Sequence, residues 1–393
     1  MLAAVTIDVI GFGIVMPVLP TLITDLGQME LEQATRISGW MLAVFAIAQF
    51  FAGPILGNLG DRFGRRPVLI AAMAGFSLDY LLMAAAPTLT WLFVGRAVAG
   101  IAGATFGPAG AVIADVTPPE KRAATYGLLG AAFGVGFIIG PALGGLVAQF
   151  GPRAPFVVAA GLAALNALAM LAFLPETLED AHRRPFRLQD AHVIGAFKPL
   201  FAAGNATPLL IAWFLWQLGG IVYPATWSFW AAIRFGWNAT QIGWSLAWVG
   251  LLQTLVQLGL TRRVVKAWGE RQAALVGLAC GASSLIAYAF VTQGWQVYAF
   301  FLVGCLGSFA YPALNGILSR MVDASRQGAL QGGIGSMNSV ASVIGPLLAA
   351  QSLAFGAAHG LVGLAFLISG GLMGLAALII AFGVPPLRYA EQP

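Results

Sequence analysis

Apolar runs of about twenty residues follow one another from residue 2 to residue 383, and few charges interrupt them. About 20 such residues, wound as an α-helix, cross a hydrocarbon core about 30 Å thick. The pattern predicts spans at about 2–22, 37–57, 68–86, 90–113, 123–149 and 155–174. A polar stretch follows, and then spans at about 207–231, 240–260, 273–292, 295–318, 328–354 and 360–383. The 393-residue chain is 59% hydrophobic and only 9% charged, against about 25% charged in soluble domains, so a water-facing surface is excluded. Its 50 glycines suit helices that pack closely in lipid. No cleavable signal peptide is expected, because the first apolar run lacks a basic leader and continues into a longer membrane pattern.

The few charges orient the chain. Loops after the even-numbered spans hold Arg62, Arg65, Arg66, Lys121, Arg122, Arg183, Arg184, Arg187, Lys198, Arg262, Arg263, Lys266, Arg271, Arg320 and Arg326, and the C-terminus holds Arg388. Opposite loops hold only Arg36, Arg153 and Arg234. The positive-inside rule makes the first set cytoplasmic, with both termini, which requires an even number of spans. The basic residues form no stripe of the kind that binds nucleic acid. The halves also repeat. Ile139-Gly140-Pro141 recurs as Ile344-Gly345-Pro346, Gly39-Trp40 as Gly243-Trp244, Gln49 as Gln253, and Gly64-Arg65 near Gly269-Glu270-Arg271, at offsets of 204 or 205 residues. The expectation is an all-α membrane protein of twelve helices: a six-helix bundle at 1–174, a cytoplasmic linker at 175–203 and a second bundle at 204–393. Solute would bind near the midplane between the halves.

Between spans 2 and 3 lies Gly57-Asn58-Leu59-Gly60-Asp61-Arg62-Phe63-Gly64-Arg65-Arg66. Glycines permit a tight turn there, and Asp61 can pair with an Arg or sit at a helix N-terminus, giving a latch that breaks and reforms. A plain solvated loop is the alternative reading. The segment resembles the signature loop of the major facilitator superfamily, with Asp115 as a further latch partner. Arg96-Ala97-Val98-Ala99-Gly100 resembles that superfamily's second motif. Gly134, Gly136, Gly140-Pro141 and Gly144-Gly145 in span 5 resemble the motif of its drug/proton antiporters. Asp8 with Gly11-Phe12-Gly13, Ser77-Leu78-Asp79-Tyr80, Arg234-Phe235-Gly236-Trp237-Asn238 and Gln327-Gly328-Ala329-Leu330 resemble the tetracycline-resistance efflux proteins over nearly the whole chain. That resemblance implies a twelve-helix antiporter of a bacterial inner (cytoplasmic) membrane, which exports a tetracycline–divalent metal complex in exchange for a proton. It also implies no resident cofactor or metal, although a divalent metal travels with the substrate. The partners implied are the small-molecule substrate, protons and the lipid bilayer, with the chain acting as a monomer.

Asp8, Asp79 and Arg96 lie inside spans of the first half. An intramembrane charge costs at least ~2.5–3.5 kcal/mol, so it marks either function or a static ion pair. Burial penalises a carboxyl's charged form, so such a group can hold a proton and then exchange it for a cationic solute. Asp79 is the first candidate for proton and substrate handling, Asp8 the second, and Arg96 a partner that tunes an acid. In the resembled family the acids matching Asp8 and Asp79 have these roles. Many members also carry a His in helix 8 and an Asp in helix 9, where this chain has Gln253 and Gly281. Efflux of another solute, altered coupling or uncoupled facilitation therefore stays open. Gln49, Gln217, Gln253, Asn315 and Tyr311 are the remaining substrate-binding candidates, among tryptophans that either line a cavity or form an interfacial belt. His182, His192 and His359 build no nucleophile–base pair, and no nucleotide loop is visible, so an enzyme is not expected.

Overall fold

The computed structural model describes residues 1–104, 106–178, 183, 207–321 and 327–384. Most of the expected linker lies outside the described residues, with Arg184, Arg187, Lys198, His182 and His192, as do Arg326 and Arg388. The elements are α1 (Leu2–Val15), α2 (Leu19–Gly27), α3 (Leu31–Phe63), α4 (Arg65–Ala85), α5 (Leu89–Gly103), α6 (Phe106–Val116), α7 (Pro119–Val147) and α8 (Ala154–Phe173). Then come α9 (Thr207–Gly220), α10 (Val222–Phe235), α11 (Ala239–Gly259), α12 (Thr261–Phe290), α13 (Gly294–Gly304), α14 (Ala310–Arg320), α15 (Gln327–Ala358) and α16 (Leu364–Gly383). Ten helical stretches among the described residues are long and apolar enough to cross a membrane, or eleven if the bent pair α1–α2 counts as one span. The remaining expected span, 90–113, is divided between α5 and α6.

Four expected spans, the first, fourth, seventh and tenth, are broken, and one cause accounts for all four. Pro20, Pro108, Pro224 and Pro312 each fall in the first turn of the second half-helix. A proline has no N–H to donate to the carbonyl four residues earlier. Those carbonyls belong to Met16, Ala104, Gly220 and Ser308, and there the helices stop. α1 and α2 meet at 48°, α5 and α9 end, and Cys305–Phe309 winds as a 3₁₀ segment between α13 and α14. Pro20 with Pro224, and Pro108 with Pro312, keep the 204-residue offset of the sequence repeat. Pro54, Pro141 and Pro346 sit inside continuous helices, where neighbouring groups absorb the lost bond.

Two compact units result, Met1–Val193 with Pro224–Leu251, and Ile194–Tyr223 with Leu252–Pro393. In the first, α1 packs on α7, α4 on α8 and α3 on α5. In the second, α12 and α9 both pack on α16 around Leu209, Trp213, Leu278, Leu314 and Ile380. The α1–α7 contact is made by absent side chains. A Cβ on Gly136 would fall 2.6 Å from Val9 Cβ, and one on Gly140 2.7 Å from the Ile10 carbonyl oxygen. Gly144 lies equally close against Ile14. Gly145 faces the other way, toward the start of α11, where Thr240 Oγ1 donates to its carbonyl at 2.8 Å. The span-5 motif thus seats α7 between α1 and α11. Compactness therefore draws the unit boundary differently from repetition, since 224–251 packs with the first unit.

Gly140→Val should destabilise the protein by about 1–3 kcal/mol, because the α1 backbone cannot yield to a new side chain. Gly53→Ala, at a helical glycine with nothing within 4 Å of its missing Cβ, should instead be neutral or stabilising. Thermal midpoints of the two variants in detergent check both signs.

Candidate functional site

The deepest charges form one pair. Asp79 on α4 is wholly buried, and Arg96 on α5 is 7% exposed. Arg96 Nη2 donates to Asp79 Oδ2. Asp79 Oδ1 and Arg96 Nε are buried without a hydrogen-bond partner, so the pair has one more acceptor and one more donor to offer. Gly95 makes the room: a Cβ there would sit 2.7 Å from Asp79 Oδ1. Asp79 lies fourteen residues into α4, roughly 21 Å from its start at the rise of a helix.

Tyr80 connects this pair to the other acid. Its hydroxyl would lie 3.5 Å from a Cβ on Gly11, so the phenol packs on α1 at ordinary contact distance. The Tyr80 ring stacks on Phe76 and stands within electrostatic reach of Asp8, Arg96 and Asp79. Asp8 is half-buried on α1 and makes no salt bridge or hydrogen bond among the described residues. One turn earlier, buried Asn166 on α8 donates to the Ala4 carbonyl at 2.8 Å and fixes the helix that carries it. Tyr80 and Arg96 also border a cavity of about 40 Å³ with Phe12, Met16 and Ser228. That is room for a few waters beside three polar groups. Tyr80, Asn166 and Ser228 have no role in the sequence reading. Asn166, a lone amide in the apolar run 155–174, was the visible signal.

The other substrate candidates are scattered. Gln49 Nε2 donates to the Gly103 carbonyl at 2.8 Å and so closes the end of α5. Gln253 is exposed on α11 and Gln217 half-buried on α9. Asn315 accepts from Gln331 Nε2 at 2.9 Å. Tyr311 packs with Trp213 and Trp216. Gly281 is a packing position, since a Cβ there would meet Met373 Sδ at 3.1 Å. A side chain there would need the flexible Met373 side chain to give way by a few tenths of an ångström.

The signature segment runs from the end of α3 into the start of α4. Asp61 pairs with Arg65 at 2.5 Å, and Arg65 Nε approaches Asp115 Oδ2 at 3.8 Å. Arg62 instead lies over the Phe63 ring, and Gly57 has open space beside it. Gly64 takes φ 102° and ψ 158°, a conformation open essentially to glycine alone. Arg66 donates to the Leu171 carbonyl, tying the loop to α8. The Arg65 side chain is largely covered, while Asp61 and Asp115 are partly open to water. The residue that the sequence reading missed is Glu176, just beyond α8. Burial pushes its carboxyl up, but N–H groups of Leu178, Arg65, Arg66 and Thr177 donate to it and hold it below the ordinary range.

The second unit repeats this device with the charges exchanged. Gly269 takes φ 80° and ψ 163°, matching Gly64. Glu270 stands where Arg65 does and Arg320 where Asp115 does, and they pair at 2.8 Å. Arg271, which matches Arg66, donates to the carbonyls of Ala381 and Val384 at the end of α16. Arg66 and Arg271 thus keep the 205-residue offset that relates Gly64 to Gly269.

Comparison with known proteins places these features. A family model described as Major Facilitator Superfamily matches residues 1–346 and 218–393. The chain is 41% identical over 347 residues to a tetracycline resistance protein, class C, from Escherichia coli, covering 88% of this chain and 87% of that one. It is 37% identical over 347 residues to the class B protein from Escherichia coli, covering 87% and 84%. Among solved structures, a D-xylose-proton symporter superposes with a TM-score of 0.77 at 19% identity, covering 98% and 97% of the two chains.

Removing Arg96 alone leaves a buried, uncompensated carboxylate, so Arg96→Ala should cost about 3–5 kcal/mol. The double variant Asp79→Asn with Arg96→Gln should cost clearly less, and thermal midpoints of the two separate these outcomes. Glu176→Ala should remove about 1 kcal/mol at neutral pH, as loss of a helix cap does. A carboxyl held below its unfolded value stabilises the fold above that value, near 4.5. Its contribution is lost as pH falls through the lower folded value. The midpoint gap between wild type and Glu176→Ala should therefore be full above about pH 5 and close in stronger acid.

Proposed function

The chain belongs to the Major Facilitator Superfamily, and from that membership and its relatives we propose that it exports an amphipathic, tetracycline-type molecule in exchange for protons. The observation that carries the coupling is the buried Asp79–Arg96 pair, whose Oδ1 and Nε are unpartnered. Asp79 holds either a proton or a salt bridge to Arg96, and the two states exchange as the site meets one aqueous face and then the other. A cationic or metal-bound solute competes with the proton for the same carboxylate, which is the simplest form of antiport. Asp8, with no bonded partner of its own, is the second exchanger, and Tyr80 between the two acids links their states. Gln49, Gln217, Gln253, Asn315 and Tyr311 contact the solute. The Asp61–Arg65–Asp115 cluster is the conformational latch. A divalent metal travels bound to the substrate, and no resident cofactor is required.

The basic loops support a bacterial inner-membrane location with both termini cytoplasmic, and the chain works as a monomer in the bilayer. A second reading, transport of another flat amphipath with altered or no proton coupling, is favoured by Gln253 and Gly281. Neither Gln253 nor Gly281 carries a group that can titrate.

Uptake of labelled tetracycline with magnesium into proteoliposomes, with and without an imposed pH gradient, tests the proposal. Gradient-driven accumulation should occur in wild type and fall to the level of empty liposomes in Asp79→Asn. Uptake indifferent to the gradient would leave a facilitator in place of an antiporter.

A further inference from the structure

The turns that join α11 to the membrane-crossing part of α12 border a cavity that the transport reading does not use. Thr261 to Trp268 winds as helix before α12 kinks at Gly269. At about 100° per residue, Arg262, Arg263 and Lys266 fall on one arc and Val264, Val265 and Trp268 on the other. Val264 and Val265 pack on the buried core of the unit. The three basic side chains and Trp268 are exposed. Ala239–Gly259 and the stretch from Glu270 to Phe290 each run roughly 31 Å at the rise of a helix. Each is a full crossing of a core about 30 Å thick. The helical turns between them therefore lie at the water boundary, where a basic amphipathic helix rests among headgroups.

Orientation of the chain in the membrane accounts for a basic loop, but it does not require the bases to share a cavity. Arg262, Lys266 and Arg320 line a hollow of about 530 Å³, together with Val265, Trp268 and Glu270. Three cations against one carboxylate leave it net positive. Glu270 is taken by Arg320 at 2.8 Å. Arg262 and Lys266 make no salt bridge among the described residues. Arg271 is turned away, to the carbonyls of Ala381 and Val384. The first unit shows how little charge the loop device needs. At the same 205-residue offset, Arg262 stands where Gly57 does and Lys266 where Asp61 does. Glu270 and Arg320 already reproduce the acid–base pair of that device, so the charges of Arg262 and Lys266 are surplus to it.

We propose that this cavity binds the phosphate of an anionic phospholipid headgroup. Arg262 offers a planar fork to two phosphate oxygens, Lys266 offers a point charge, and Arg320 completes the cation set. Trp268, 52% exposed beside the cavity, is the amphipathic ring that belongs at headgroup depth. A lipid phosphate and free inorganic phosphate share this chemistry. The position at the bilayer boundary favours the lipid, which is held there at high effective concentration. The site does not depend on what the chain transports, so it stands or falls apart from the efflux reading.

Native mass spectrometry of the full chain in detergent counts the lipids bound. The probes are dioleoyl phosphatidylglycerol, dioleoyl phosphatidylcholine and inorganic phosphate. Wild type should hold phosphatidylglycerol about fivefold or more tightly than phosphatidylcholine, whose choline cancels the phosphate charge. Arg262→Gln and Lys266→Gln should each lower the phosphatidylglycerol affinity about fivefold, the weight of one basic side chain against anionic lipid. Arg263 belongs to the same loop but does not line the cavity. Arg263→Gln should therefore leave the affinity within about twofold of wild type. All three exposed substitutions should keep the wild-type thermal midpoint. Equal affinity of wild type for the two lipids overturns the proposal, and that comparison needs no variant. Equal losses in all three variants also overturn it, because they show only diffuse attraction to a basic loop. Displacement of phosphatidylglycerol by an equal concentration of inorganic phosphate overturns the lipid as ligand and leaves a site for a free anion.

Discussion

Hydrocarbon offers a backbone amide nothing to bond, and the architecture follows from that. Each span has to satisfy its own N–H and C=O groups, so the chain is helical wherever it crosses. The one local exception a sequence can write is proline, which deletes a donor. Four prolines in the first turn of a half-helix release the carbonyls of Met16, Ala104, Gly220 and Ser308, and those are the four interruptions of otherwise uniform spans. Because Pro20 and Pro224, like Pro108 and Pro312, share one repeat offset, the broken helices occupy equivalent places in the two halves.

A second constraint acts through side chains that are missing. Lipid supplies no hydrophobic drive between helices, so association depends on close packing and a few polar contacts. Gly136, Gly140 and Gly144 bring α7 onto the backbone of α1, the helix that carries Asp8. Gly95 leaves the volume that the Asp79 carboxylate occupies. At Gly281 the Met373 side chain lies 3.1 Å from where a Cβ would stand. The outcome is a division of chemistry. Among the described residues, the acids embedded within the spans, Asp8 and Asp79, both lie in one unit.

The duplicated loop segments show what repetition preserves. Gly64 and Gly269 adopt the same glycine-only conformation, and Arg66 and Arg271 both anchor the loop to the closing helix of their unit. Between them the ion pair has exchanged partners, Arg65 with Asp115 in one and Glu270 with Arg320 in the other. Coulomb attraction is unchanged when both signs are swapped. Geometry is therefore kept at one 205-residue offset while the identities at the ion pair drift.

Much was legible before any coordinates. The charge deficit and the apolar runs dictate a helical membrane protein, the offsets of Ile139–Pro141 and Gly39–Trp40 dictate two related halves, and Asp79 stands out because few residues can bear its place. These properties depend on composition and spacing along the chain, where local physics suffices. The partner of each charge did not follow from spacing. Asp79 meets Arg96, Glu176 caps α4 across more than a hundred residues, Gln49 closes α5, and Trp213, Trp216 and Tyr311 converge from two helices. The sequence by itself determined what could enter the membrane, because insertion free energy is set by short stretches. The tertiary structure alone decided which polar groups meet, because a helix face selects its neighbours only once the packing of all the others has chosen its rotation.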